Sequence, residues 1–477
     1  MARILLIQPP LSTKELFVRG SKSSASVLPP LGLAYIASTL REHEHECRII
    51  DGIVESFSLD ALAEIANQYD LVGITVATSY AMRAIELVQK LKESPSCPPI
   101  VAGGHHVTAE PQSLLRCGAD YTVIGEGEIT ILELVECLSS KANASSLRQV
   151  RGIGFIESGK YVYTGNRDKI DPLDQLPLPA RDLLPMHLYH SSVARGNLQP
   201  SHSMLTSRGC PGVCSFCSKK TFGPKVRYFS VDRIVEEFFL LRDQYGARNV
   251  AVFDDNFLSN EEIVHAVCEE LCRRDLGISW SVEARIDCVN REILESLKKA
   301  GCAFIAYGIE SGSQRILDYI NKQISKEQVR EIVAITKEVG IPIRGYFMMG
   351  FPSETKEDIE ETIRFAIELD VDVASFTFFV PFPATREYER AKKSGMFDPE
   401  YYKKVILPEF NFLDVPVYVP EGFTPNSLLK LHRSAYNRYY LRPKILWRKF
   451  SSLRSLDDLK AVFLGGYTLI ANALRQG

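Results

Sequence analysis

Three cysteines, Cys210, Cys214 and Cys217, stand in the segment TSRGCPGVCSFC with the spacing C-x3-C-x2-C. Thiolates gathered in one loop are soft ligands that suit the irons of an iron–sulfur cluster, and three of them on a four-iron cluster leave one iron without a protein ligand. That open iron is a place for chemistry. A structural zinc site wants four ligands and usually pairs two C-x2-C units; the chain has no second such pair, so a cluster is the better match. The eight other cysteines (Cys47, Cys97, Cys117, Cys137, Cys268, Cys272, Cys288 and Cys302) are scattered singly, and the total of eleven is odd. They form no disulfide framework and read as small buried hydrophobes of a reducing compartment.

The elements that must hold this loop are written as two runs of strand–helix alternation. In residues 1–141, short apolar runs at 4–7, 48–50, 71–76, 100–102 and 121–124 are separated by helical patterns such as LGLAYIASTLRE and AMRAIELVQKLKE. This predicts a flavodoxin-like (Rossmann-like), doubly wound parallel sheet. The loops leaving those strands are Gln8-Pro9-Pro10, Asp51-Gly52, residues 75–79, Gly103-Gly104-His105-His106 and Gly125-Glu126-Gly127-Glu128. They sit at the carboxyl ends of strands, where an open parallel sheet binds ligands. Their glycines either make tight turns or let a ligand approach the backbone, and four or five such loops together favour a ligand. Residues 142–199 read as a linker: Gly152, Gly154 and Gly159 in a hairpin, then the Pro-rich crossing DPLDQLPLPARDLLP.

The second alternation, residues 200–395, places strands near Met204 and at 250–253, 278–282, 304–309, 343–348 and 374–379. Six βα units are too few for a closed eight-fold barrel and predict a partial (βα)6 TIM-like barrel, with active residues again at the carboxyl ends of the strands. Residues 396–477 should form a small, mainly helical C-terminal region. Between Lys430 and Lys460 it carries nine Lys/Arg interleaved with Tyr436, Tyr439, Tyr440, Trp447 and Phe450. This is either a solvated helical face packed by its aromatic side or a docking surface for an anionic or lipid-like substrate or the membrane interface.

At about 100–200 residues per domain, the 477 residues suffice for about three structural units. Hydrophobic residues at 45% and charged residues at 24% are ordinary for a globular protein, which argues against long disorder and a multi-span membrane protein. The net charge of −3 gives no basic field for nucleic acid, and no nucleic-acid partner is expected. The start, MARILLIQPP, lacks the apolar length and cleavage site of a signal peptide, and no run reaches a membrane span, so a cytoplasmic protein is the expectation.

The cysteine loop and the segments C-terminal to it resemble the radical S-adenosylmethionine (SAM) superfamily, whose C-x3-C-x2-C binds a 4Fe-4S cluster and whose open iron chelates the amino and carboxylate groups of SAM. Phe216, the aromatic before the third cysteine, matches, and VFDDNF, EARID, AYGIESGS and GYFMMGFPSET come next in order, each at an expected strand end. The resemblance implies that Glu310 bonds the SAM ribose, with Ser311 beside it, that Arg285 takes the methionyl carboxylate, and that Gly345 and Gly350 let the backbone approach adenine. The GGE stretch of many members is replaced by Asp254-Asp255-Asn256, which leaves the amino-group contact open between Asp254 and Asp255.

With a flavodoxin-like domain ahead of such a barrel, nearly the whole chain is similar to the cobalamin-binding subclass. PPLGLAYIA, VAGGHHVTAEP and GEGE are shared features. The Asp-x-His-x-x-Gly loop of cobalamin mutases is absent after the first strand, where the chain reads QPPLSTKELFVRG, so cobalt is expected without a protein histidine. The resemblance implies that Thr75, Thr78 and Ser79 hydrogen-bond the nucleotide tail and that Gly104, Gly125, Glu126 and Gly127 border it. His105 and His106 either contact the corrin or its tail or are ordinary polar loop residues.

On this resemblance a reduced cluster cleaves SAM to a 5'-deoxyadenosyl radical, cobalamin carries a methyl group to the substrate radical, and an electron donor such as ferredoxin or flavodoxin supplies reducing equivalents. C-methylation of an unactivated carbon on a small or lipid-like substrate is the first expectation. The alternative is radical cyclisation, ring contraction or oxidation without methyl transfer, on a tetrapyrrole or isoprenoid. Phe376, Phe378, Phe379 and Phe382 either line an apolar cavity or belong to the core. Replacing Cys210, Cys214 and Cys217 together by Ala should abolish the visible iron–thiolate absorbance and reductive SAM cleavage; a triple variant that keeps both would overturn the cluster assignment.

Overall fold

The computed structural model describes residues 1–11, 27–139, 144–190, 199–395, 397–404 and 416–451. Residues 12–26, which include most of QPPLSTKELFVRG, lie outside the described residues, as do Arg454 and Lys460.

The first sheet has seven strands in the order β2-β1-β3-β4-β5-β6-β7. Its parallel part comprises β1 (Arg3–Gln8), β2 (Glu46–Asp51), β3 (Leu71–Thr75), β4 (Ile100–Gly103) and β5 (Tyr121–Val123). This is the flavodoxin-like order. Five of the six residues of β1 are buried because helices cover both faces, so the strand reads as an apolar run rather than an alternation. The hairpin expected in the connecting segment is present, but it is no free connector. Its strands, β6 (Ile153–Glu157) and β7 (Lys160–Tyr163), extend the sheet antiparallel to β5. Ser158 and Gly159 both take positive φ, the two-residue turn whose twist matches a tight hairpin.

The second sheet is an open arc of parallel strands, β15-β14-β13-β12-β11-β8, with helices following β11, β12, β13 and β14. In chain order these are β8 (Ser201–Met204), β11 (Asn249–Val252), β12 (Ser279–Ala284), β13 (Cys302–Glu310), β14 (Ile343–Met349) and β15 (Val373–Phe378). A short antiparallel ladder, β9 (Ser207–Arg208) with β10 (Arg227–Tyr228), pinches residues 209–226 into a closed loop at the carboxyl end of β8. That loop holds the three cysteines.

An open arc leaves a bare strand edge, and unpaired backbone groups there need partners. The helix Pro425–Tyr440 supplies them along β15. The Tyr436 hydroxyl accepts from Phe376 N at 3.0 Å and donates to Phe376 O at 3.1 Å; that of Tyr440 does the same for Ala374, at 3.1 and 2.8 Å. Tyr439 donates to Val371 O. The basic side chains are similarly engaged: Arg442, Lys444 and Arg448 converge on Asp370, and Arg438 pairs with Glu360. Of the two readings, the helical face packed by its aromatic side describes Tyr436, Tyr439 and Tyr440, which cap the sheet edge. Trp447, 76% exposed, faces outward. Phe376, Phe378 and Phe379 are core residues rather than cavity lining, while Phe382 is exposed. No helix among the described residues is long and apolar enough to cross a membrane.

The two sheets are joined through buried charge. Glu126 and Glu128, at the carboxyl end of β5, meet Arg208 of β9 and Arg227 of β10. Arg208 reaches Glu126 at 2.9 Å and Glu128 at 2.6 Å, and Arg227 reaches Glu126 at 3.0 Å. Ile170 N also donates to Glu126 at 3.1 Å. Tyr35 stacks on Phe229 with ring centres 6.1 Å apart. Glu126 is thus a joint between domains and not an exposed border of a ligand site.

Removing one member of such a cluster leaves buried charge uncompensated, so Glu126→Ala should lower unfolding free energy by about 3–5 kcal/mol in urea titrations. Tyr436→Phe and Tyr440→Phe should each cost about 1–3 kcal/mol, the cost of a buried group left unbonded, without changing iron content.

Candidate functional site

The cysteine loop is shaped by backbone contacts at both ends and in its middle. Gly209 takes φ +100°, and a Cβ there would stand 2.4 Å from Lys225 O, so only glycine lets the two sides of the loop close. Cys210 N donates to Gly223 O and Cys217 N to Cys214 O, each at 3.3 Å. From the barrel side, Ser215 N donates to Ile320 O at 2.8 Å and Asn321 Nδ2 to Val213 O at 3.2 Å. Cys210 and Cys214 are partly exposed and Cys217 is exposed. Among the described residues no three Cys, His, Asp or Glu side chains stand close enough to close on one ion. Three thiolates carried on one closed loop are a soft donor set that fits a four-iron cluster with one iron left open. Partial burial pushes the thiol of Cys210 up, so cluster assembly has to displace its proton.

The two aspartates after β11 divide their roles. Asp254 is buried and accepts from Thr206 N at 2.7 Å, from Ser207 Oγ at 2.6 Å and from Thr206 Oγ1, with burial raising its carboxyl to about 6. It anchors the base of the loop and has no face left for a ligand. Asp255 is exposed and accepts from Gly209 N at 3.1 Å.

At the end of β13, Glu310 adopts φ +69°, a strained conformation for a side-chain-bearing residue, and its carboxylate meets Lys322 Nζ at 2.8 Å. Gly308 makes this possible, since a Cβ there would lie 2.6 Å from Glu310 Oε1. Lys322 Nζ also stands 6.0 Å from the centre of the Phe216 ring, which packs on Phe351. Sequence reasoning missed Lys322; a cation twelve residues after Glu310 has no signal until the turn through Asn321 and Gln323, both at positive φ, folds it back. Arg285 lies at the loop, with Nη1 3.2 Å from Cys214 Sγ, Nε and Nη2 on the carboxylate of Asp287, and Nη2 also on Lys322 O.

Two expected contacts are turned into the core, and a third has its N–H engaged within the chain. Ser311 is fully buried, sharing a 3.0 Å hydrogen bond with Thr362 and accepting from Ser313 N, so it braces a turn. Gly345 lies inside β14 with its side-chain position against Phe347 and Ile309, toward the helix layer. Gly350 is at the strand end, at φ +93°, but its N–H goes to Glu354. Glu354 stands near the end of the GYFMMGFPSET stretch. It is buried, accepts also from Phe351 N at 3.1 Å, and burial raises its carboxyl to about 8.

On the first sheet the expected residues do gather at the carboxyl edge. Gly104, at φ +105°, lets its loop close on β3 beside Thr75, because a Cβ would stand 2.8 Å from Val76 O. Thr78 Oγ1 and His106 Nδ1 are 3.2 Å apart, Ser79 follows in the turn Thr78–Tyr80, and burial lowers His106 to about 4. His106 Nε2 is buried with no hydrogen-bond partner, a polar atom still to be satisfied. Gly125 N donates to Thr108 Oγ1 at 3.0 Å, whereas Gly127 packs toward Ile36 and Val123. His105 meets Thr221 Oγ1 of the cysteine loop at 3.0 Å. Lys169 Nζ donates to Thr221 O at 2.5 Å. The ligand edge of the first sheet therefore abuts the cysteine loop of the second. Hydroxyls and glycines along that edge fit a polar ligand, and the Glu310–Lys322 pair with Asp255 fits a zwitterionic one.

Residues 204–366 match the family model of the radical SAM superfamily, and residues 21–135 match that of the B12 binding domain. An uncharacterized methyltransferase of Pyrococcus horikoshii is 37% identical over 93% of this chain and 94% of its own. The anaerobic magnesium-protoporphyrin IX monomethyl ester cyclase of Rubrivivax gelatinosus is 28% identical over 98% of this chain and 83% of its own. The fold is similar to that of the radical S-adenosylmethionine methyltransferase TsrM from Kitasatospora setae, solved with cobalamin and a [4Fe-4S] cluster bound, with a TM-score of 0.65, 18% identity, and coverage of 82% of this chain and 75% of that one. Two cofactor domains in one chain, a thiolate loop held against the ligand edge of a flavodoxin-like sheet, and a relative matching end to end make the chain a member of the cobalamin-binding radical SAM enzyme family.

Proposed function

We propose that the protein methylates an unactivated carbon of a small-molecule substrate, using SAM, a 4Fe-4S cluster on Cys210, Cys214 and Cys217, and cobalamin. The observation that carries this reading is the apposition of the two ligand edges through His105–Thr221 and Glu126–Arg208, which sets the residues proposed for the two cofactors side by side. Bound there, the cluster with SAM supplies a hydrogen-abstracting radical and cobalamin a transferable methyl group. The chain's own residues position these groups. Glu310 and Lys322 offer one carboxylate and one ammonium at the barrel mouth, Asp255 an exposed carboxylate beside the loop, and Thr75, Thr78 and Ser79 hydroxyls at the sheet edge. A low-potential donor such as ferredoxin or flavodoxin is the proposed source of electrons. The end-to-end likeness to the Rubrivivax cyclase supports a second reading, ring closure without methyl transfer.

Anaerobically reconstituted protein, incubated with cobalamin, a strong reductant and methyl-labelled SAM, separates the two. Methyl transfer predicts label on cobalamin with S-adenosylhomocysteine formed, alongside 5'-deoxyadenosine once substrate is present. Bound cobalamin with 5'-deoxyadenosine as the sole SAM product would overturn it in favour of the cyclase reading.

A further inference from the structure

We infer that Arg285 is a positioning residue that sets the reduction potential of the cluster through Cys214, and is not a clamp on the methionyl carboxylate of SAM. The inference rests on the reading that the three cysteines carry a four-iron cluster. Four of the five guanidinium N–H groups are engaged, and no adjacent pair is left for a bidentate carboxylate: Nε and Nη2 hold Asp287 at 3.0 and 2.8 Å, Nη2 also holds Lys322 O at 3.1 Å, and Nη1 points at Cys214 Sγ from 3.2 Å. The loop has made room for it. A Cβ on Gly212 would stand 2.4 Å from Nη1 and 2.9 Å from Cζ, so the cysteine loop carries glycine where the guanidinium passes. Asp287 grips the side of the guanidinium away from the sulfur and fixes its aim, as a bidentate carboxylate does.

The physical consequence has a definite sign. A thiolate on iron keeps negative charge, and the reduced cluster holds one electron more than the oxidised one. A cationic donor at the sulfur stabilises the reduced state more and raises the potential, as hydrogen bonds to cluster sulfurs do. Arg285 thereby eases entry of the electron that SAM cleavage requires.

The test is an EPR-monitored redox titration of the reconstituted full-length protein, with and without SAM, for wild type, Arg285→Met and Gly212→Ala, together with SAM binding by equilibrium dialysis. At the wild-type midpoint without SAM, Arg285→Met should lower the ratio of reduced to oxidised cluster at least tenfold, about 59 mV for a one-electron couple. Gly212→Ala keeps the charge but displaces it, and should give a smaller shift of the same sign. An unchanged SAM-free potential in both variants overturns the inference, and a tenfold loss of SAM affinity beside it identifies a carboxylate clamp. Should Arg285→Met fail to load a cluster, the Gly212→Ala titration decides by the same sign. A wild-type protein without a cluster signal would instead overturn the reading of the cysteines themselves.

Discussion

Four charged side chains, Glu126, Glu128, Arg208 and Arg227, each with no more than 5% of its side chain exposed, lie where the two parallel sheets meet. Taking such groups from water costs several kcal/mol per ion, and the cost is offset only when every partner is in place. The carboxylates come from the loop after β5, and the arginines from β9 and β10, the two strands that close the base of the cysteine loop. One electrostatic arrangement therefore sets two geometries together: how the cysteine loop is closed, and how far it stands from the ligand edge of the first sheet. The apolar contacts around it, including a core cluster that mixes Leu5, Ile7 and Ile50 with Phe351, Phe379 and Tyr401, hold the domains together without specifying register. The charge cluster specifies it.

Around the cleft the backbone stores strain. Glu310, Asn321 and Gln323 all adopt positive φ, and they are the residues that hold Lys322 against Glu310 and the turn against the cysteine loop. Conformations of this kind cost of order 1–3 kcal/mol each and persist where surrounding contacts over-determine them. Here those contacts are the hydrogen bonds from Ser215 N and Asn321 Nδ2 and the guanidinium of Arg285. The barrel mouth is thus preorganised before any ligand arrives.

Much of this frame is legible in the amino-acid sequence because periodicity is a local property. The parallel strands of both sheets lie where apolar runs place them, and the C-x3-C-x2-C spacing singles out its loop without help from tertiary structure. What is not legible depends on facing and on distant partners. Gly345 and Ser311 occupy the right segments, yet the alternation of a strand turns one toward the helix layer and a turn buries the other. Glu126 reads as one more polar residue in a glycine-rich loop, because its partners Arg208 and Arg227 lie 82 and 101 positions away. The tyrosines of the C-terminal helix resemble a docking surface for the same reason: their partners are backbone atoms of β15, and no residue type announces them.

The hydroxyl cap on β15 also has a bearing on how the chain is made. The six barrel strands are complete at Phe378, but the groups that cover the open edge arrive with Tyr436 and Tyr440. At synthesis rates of about 5–20 residues per second, those sixty or so residues take roughly 3–12 s to emerge. Throughout that interval a nascent barrel presents bare N–H and C=O groups, the template on which neighbouring chains pair edge to edge. The sooner the helix Pro425–Tyr440 reaches the strand it seals, the shorter the time that edge stands open to a neighbouring chain.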